Sequence, residues 1–113
     1  MNIEECLLRL DSISTSSNLD DVDSSDVVIS LSKGLIEKLD NLKSIGLIWN
    51  IYKGYDGEIC FLLKNPMNIN KSVEIIFYEN KKNVVFQEYG DYRQTEFDWS
   101  KVIEFKDFLT KNV

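Results

Sequence analysis

Carboxylates are the most numerous side chains in this sequence that could bind a metal ion or act as an acid or base. One acidic run has part of the spacing of a calcium-binding loop. In that run Asp21 and Asp23 take the first and third ligand positions, and Ser25 takes the fifth. Such a loop also needs a glycine at its sixth position and a bidentate glutamate at its twelfth. This sequence has Asp26 and Ser32 there. We therefore predict no metal site in the run.

Nucleophilic and acid–base chemistry have few candidates. The sequence contains no histidine, which is the commonest general base and metal ligand. Cys60 lies within an apolar segment and Cys6 stands alone, so we predict two reduced core residues rather than a nucleophile or a disulfide. Asp56, Glu58 and Glu88 are the acid–base candidates for an enzyme of unrecognised type. Because they form no recognisable motif, we expect a non-catalytic protein without a cofactor.

The charge of the chain is concentrated in its first part. Residues 1–32 contain seven acidic residues and one basic residue, whereas residues 33–113 contain twelve of each. A net charge of −6 with this distribution disfavours direct binding to nucleic acid and favours a protein partner with a basic surface. The alternative is a Ser/Asp-rich loop that is acidic only because it is solvated.

Neither an export signal nor a membrane span is recognisable. The sequence begins with acidic residues where a signal peptide would be basic and then apolar. No apolar stretch approaches the roughly 18 residues of a membrane helix. We therefore expect a cytoplasmic protein that does not bind a membrane.

Two helices are predicted in the first part of the chain. Apolar residues recur at spacings of three and four before residue 14, and again over the helix predicted at residues 25–45. A Ser/Asp-rich run without periodicity lies between them, so residues 1–24 are predicted to form an acidic helix and loop. Asp23 or Ser24 is expected to cap the second helix, and Gly46 to end it in a left-handed conformation.

The apolar pattern then changes to a period of two, which predicts an antiparallel sheet over residues 47–89. Its four strands are separated by a turn at 54–57, a loop at 65–71 and a hairpin turn at 80–83. Alternation along the first strand places Trp49 in the core. Four phenylalanines are also predicted to be core residues: Phe61, Phe77, Phe86 and Phe105.

Residues 98–111 are predicted to form a C-terminal helix, although residues 102–105 also have the pattern of a short strand. Asp98 favours the helix because it can cap the first turn. The resulting order of elements predicts one α+β domain over residues 1–113. In it, the N-terminal helices and the C-terminal helix pack on a four-stranded antiparallel β-meander.

Exposed acidic and aromatic residues are the candidates for binding a partner. Tyrosines beside turns and the cluster Tyr89-Gly-Asp-Tyr-Arg93 contain the residue types that are enriched in binding hot spots. Surface turns without a partner are the alternative explanation. The predicted partner-binding residues are Glu4, Glu5, Asp20, Asp21, Asp23, Asp26, Tyr55, Tyr89, Asp91, Tyr92 and Arg93.

The segment Asp56-Gly-Glu-Ile-Cys-Phe, followed by the predicted hairpin at 73–89, resembles the sheet of several small bacterial immunity proteins. These proteins belong to contact-dependent and other polymorphic toxin systems. The resemblance implies a cytoplasmic protein that binds and neutralises a toxin domain, with a nuclease as the expected kind of toxin. Such a nuclease has a basic groove, which an acidic helix and loop could cover. A mobile-element inhibitor of a host nucleic-acid enzyme (anti-restriction or anti-CRISPR type), a small enzyme and an oligomerising structural domain stay open as alternatives.

Overall fold

The structure of the chain is a computed structural model that describes residues 1–14, 23–78, 84–88 and 94–97. In residues 68–71, 84–88 and 94–97 only the backbone is described. The elements, in chain order, are α1 (Ile3–Ser14), α2 (Asp26–Asn41), a 3-10 turn (Ile45–Leu47), β1 (Ile48–Lys53), β2 (Ile59–Asn65), β3 (Asn68–Phe77), β4 (Val84–Glu88) and β5 (Gln94–Phe97).

A three-stranded antiparallel sheet, in the order β1–β2–β3, lies against the two helices. The backbone of β4 pairs antiparallel with β3, and that of β5 pairs antiparallel with β4. The predicted α+β class, with N-terminal helices on an antiparallel sheet, is confirmed. The four-stranded meander is not confirmed, because the described backbone includes the extra segment β5. The predicted helix at 98–111 lies outside the described residues.

The core lies between the helices and one face of the sheet. Along β2 and β3 every second side chain is buried against α1 and α2, as a period of two requires. Phe61 and Phe77 meet edge to face at the centre, with ring centroids 5.9 Å apart. The buried cluster is Cys6, Leu10, Ile13, Val28, Leu35, Ile36, Leu39, Ile48, Ile51, Ile59, Phe61, Leu63, Val73, Ile75 and Phe77. The side chains of the predicted core residues Phe86 and Phe105 lie outside the described part.

Both ends of α2 differ from the prediction. Ser25, rather than Asp23 or Ser24, is the N-cap, and its Oγ accepts from the amide of Val28 at 3.3 Å. At the other end Lys43 has a φ of 58°, and the amide of Ser44 donates to Leu39 O at 2.7 Å. The amide of Lys43 also donates to Asp40 O at 3.0 Å, and these two hydrogen bonds form a Schellman motif in which lysine occupies the left-handed position. The prediction of Gly46 as the left-handed residue was therefore wrong.

Trp49 was wrongly predicted as a core residue. The β1–β2 register shifts between Ile48 and Asn50, so β1 has a bulge at Trp49. The bulge places Ile48 and Ile51 in the core, three residues apart, and leaves the Trp49 side chain 61% exposed. The predicted loop at 65–71 is also shorter than expected, because β3 begins at Asn68 and pairs with Asn65 across a tight turn.

Met1 and α1 provide hydrogen-bond donors to two carbonyl groups on the free edge of β1. The Met1 ammonium donates to Ile48 O at 3.0 Å, and Arg9 Nε donates to Ile51 O at 2.9 Å. The Ile51 amide in turn donates to Oδ1 of Asn50 at 2.9 Å. Because these edge groups already have partners, β1 does not offer them as a template for an added strand.

Candidate functional site

The start of α2 is fixed to the β1–β2 turn. Ser24 Oγ donates a buried hydrogen bond to Gly57 O at 2.8 Å. Gly57 has a φ of 83°, in the left-handed region that favours glycine, and a Cβ atom there would lie 2.8 Å from Asp23 O. Two segments that are more than thirty residues apart in sequence therefore meet in close backbone contact.

This contact brings three of the predicted binding residues to one end of the molecule. Asp23 and Asp26 lie at the start of α2, and Tyr55 lies in the adjoining turn with Asp56 beside it. All four side chains are exposed, and Tyr55 is 81% exposed. We call the surface formed by Asp23, Asp26, Tyr55 and Asp56 the acidic end.

The turn that presents Tyr55 is held by its own hydrogen bonds. The amide of Gly54 donates to Glu58 O at 2.9 Å, and the amide of Asp56 donates to Glu58 Oε2 at 3.0 Å. The Glu58 side chain lies over Gly54, where a Cβ atom would collide with it. Glu58, an acid–base candidate in the sequence, thus has a structural role that orders the turn.

The remaining charged candidates lie elsewhere or have a local role. Glu5 forms a capping box with Asn2: the Glu5 amide donates to Asn2 Oδ1 at 2.8 Å, and the Asn2 amide donates to Glu5 Oε1 at 3.4 Å. Asp26 lies in the first turn of α2, where a negative charge stabilises the helix dipole. Glu4 is exposed on α1, outside the acidic end. The other predicted binding residues, Asp20, Asp21, Tyr89, Asp91, Tyr92 and Arg93, lie outside the described residues.

The sheet face opposite the helices contains several titratable groups whose neutral forms are favoured. Burial raises the pKa of the Cys60 thiol to about 12, with a smaller contribution from the negative charge of Glu58. Burial also raises the pKa of Glu74 and of Tyr78, and electrostatic interactions with Cys60, Glu58 and Glu74 add to the rise in the pKa of Tyr78. A thiol with this pKa is not an activated nucleophile at neutral pH. The side chain of Glu88 is outside the described part.

Within residues 1–14, 23–67 and 72–78, no three Cys, Asp or Glu side chains are placed to hold one metal ion.

One exposed aromatic side chain was missed by the sequence analysis. The Lys64 ammonium lies over the Trp49 ring, 5.1 Å from its centroid, at the end of the sheet remote from the β1–β2 turn. The bulge that exposes Trp49 has one trace in the sequence, because the isoleucines at 48 and 51 are three rather than two residues apart. That spacing could have indicated an interrupted alternation.

Comparisons with known proteins gave no relative: no family model, curated protein or solved structure matches the chain. Among the described helices, none has the length and apolar character needed to cross a membrane.

Proposed function

We propose that this protein is a non-catalytic inhibitor that binds a basic surface of a partner protein in the cytoplasm, in the manner of an immunity protein bound to a nuclease toxin. The observation that supports this proposal best is the acidic end. There, the exposed residues Asp23 and Asp26 at the start of α2 adjoin the turn that presents exposed Tyr55 and Asp56. The C-terminal helix predicted at 98–111 remains part of this proposal. So do the predicted binding residues outside the described part, which are Asp20, Asp21, Tyr89, Asp91, Tyr92 and Arg93.

The chemistry of the acidic end suits this role. A nuclease must attract phosphate, so its groove contains lysine and arginine side chains that also attract carboxylates. Complementary charge speeds the encounter and selects the partner, whereas aromatic anchors contribute most of the binding free energy. Tyr55 can supply such an anchor, because its turn is ordered by Glu58 and fixed to α2 through Ser24.

The proposal is tested by identifying what binds the protein and then by changing the acidic end. A tagged copy is recovered from its native cells, and the bound proteins are identified by mass spectrometry. We expect a stoichiometric basic domain that is toxic when expressed alone and harmless when co-expressed with this protein. Recovery of a host restriction or CRISPR component would favour the alternative inhibitor function, and recovery of the protein alone would contradict both.

The role of the acidic end is tested with two matched double variants. Asp23→Asn with Asp26→Asn should slow association with the recovered partner about tenfold at low salt, and should reduce its salt dependence. The control, Glu37→Gln with Asp40→Asn, makes the same change of charge at exposed positions further along α2. Equal effects of the two variants would show that only net charge matters and would exclude the acidic end as the binding surface.

A further inference from the structure

A groove lies along α1, on the outer side of the helical layer. It is lined by Glu4, Leu7, Leu8 and Asp11 of α1 and by Lys33 of α2, and its volume is about 530 Å³. This volume is within the range of roughly 300–1,000 Å³ that binding pockets span. Leu8 is 71% exposed, although both leucines belong to a helix whose opposite face is packed in the core.

The four α1 residues of the groove form one stripe. Residues 4, 7, 8 and 11 are spaced at intervals that return to the same side of a helix, so the two leucines are flanked by one carboxylate in each direction. Glu4 and Asp11 are seven residues apart, which corresponds to about 10 Å along the helix axis. The stripe therefore has an apolar centre between two negative charges, and Lys33 lies on its α2 side.

We propose that this groove binds an amphipathic helix with a basic end, contributed by the partner protein of the proposed function. A helix that packs beside α1 and α2 buries apolar side chains at a spacing of three and four residues against Leu7 and Leu8. A lysine or arginine residue at one end of that helix matches the carboxylate of Glu4. Lys33 repels basic residues on the α2 side, so the basic residue of the ligand is confined to the α1 side.

The groove differs from the acidic end in its physical character. The acidic end presents charged residues and one tyrosine at a helix start and a turn, whereas the groove presents two adjacent leucines along a straight helix. The inference rests on the proposed function for the source of the ligand helix, but its binding chemistry can be tested with a synthetic peptide. Failure at the groove would leave the test of the acidic end unaffected, because the two tests use different variants and different ligands.

The probe is a helical peptide of about 18 residues, with leucines on one face and lysines elsewhere. A scrambled peptide of the same composition and a leucine–glutamate peptide of the same pattern are the controls. Methyl-labelled NMR spectra of the whole chain report which leucines are contacted. We expect the leucine–lysine peptide to shift the methyl signals of Leu7 and Leu8 with a Kd of about 100 µM or tighter, and both controls to bind at least about tenfold more weakly.

Two neutral substitutions distinguish contact at the groove from general attraction. Leu8→Ser should weaken binding of the leucine–lysine peptide about tenfold, because it removes the apolar contact. Val27→Ser is the control, since Val27 is an exposed aliphatic residue of the same layer (60% exposed) that does not line the groove. Glu4→Gln should reduce the salt dependence of binding more than Glu37→Gln does.

Several results would overturn the proposal. One is the absence of Leu7 and Leu8 methyl shifts at about 1 mM peptide, and another is an equal effect of Leu8→Ser and Val27→Ser. Equal binding of the leucine–glutamate peptide would exclude the charge match. A large fall in Tm for Leu8→Ser alone would show that Leu8 is covered by this chain rather than available to a ligand.

Discussion

Replacing Gly57 with alanine tests the contact that builds the acidic end. Its φ of 83° lies in the left-handed region, which costs an L-residue about 1–2 kcal/mol. The new Cβ would lie 2.8 Å from Asp23 O, a backbone atom that moves only with its segment. That movement would also weaken the 2.8 Å hydrogen bond from Ser24 Oγ, worth about 1 kcal/mol. We therefore expect Gly57→Ala to lower the free energy of unfolding by about 2–4 kcal/mol.

The matched control for this prediction is Gly46→Ala. A Cβ at Gly46 has no atom within 4 Å, and its φ is not in the left-handed region, so the free energy of unfolding should change by less than about 0.5 kcal/mol. Urea unfolding followed by circular dichroism measures both variants. Amide NMR shifts of Asp23 and Ser24 report whether the segment moves. Equal stability of the two variants, or unshifted amides in Gly57→Ala, would refute the described contact.

Three further predictions follow from burial and hydrogen bonding. Trp49→Ala should cost less than about 1 kcal/mol in urea unfolding, whereas Phe61→Ala, which removes a fully buried ring, should cost about 3–5 kcal/mol. Burial raises the pKa of the Cys60 thiol from its usual 9.0 to about 12 in the folded chain, so the unfolded chain releases this proton at a lower pH. The free energy of unfolding should therefore fall as pH rises from 9 toward 12, and Cys60→Ala should lose that part of the fall. Arg9→Ala should expose Ile51 O at the edge of β1 and increase self-association, as measured by light scattering against concentration.

Local patterns predicted the elements whose side chains interact with near neighbours in sequence. The spacing of three and four predicted the apolar face of α1, on which Cys6, Leu10 and Ile13 are buried but Leu7 is 39% exposed. The period of two predicted the face of β3 that lies in the core. The cap formed by Asn2 and Glu5 was also readable, since asparagine followed three residues later by glutamate has the pattern of a capping box. That pattern would have assigned Glu5 to the helix rather than to a binding surface.

Contacts between distant residues were not predictable from such patterns. The hydrogen bond of Ser24 with Gly57 spans 33 positions and depends on how α2 lies across the sheet. The bulge at Trp49 depends on the β1–β2 register, which strand alternation alone does not fix. The sequence identified the candidate acidic residues, but it could not show that they lie on two separate surfaces, because that separation depends on tertiary packing. Asp23 and Asp26 lie at the acidic end, whereas Glu4 lies in the groove on α1.

The hydrogen bonds at the β1 edge restrict how a partner can bind to that edge. Because Met1 and Arg9 occupy the carbonyls of Ile48 and Ile51, a partner cannot form the same bonds by adding a strand there. Recognition at this side of the molecule then depends on side chains of helices and turns. Exposed carboxylates mainly increase the rate of encounter, so the lifetime of the proposed complex must come from apolar anchors. Variants of Asp23 and Asp26 should therefore act on the association rate, whereas Tyr55→Ala and Leu8→Ser should act on the dissociation rate.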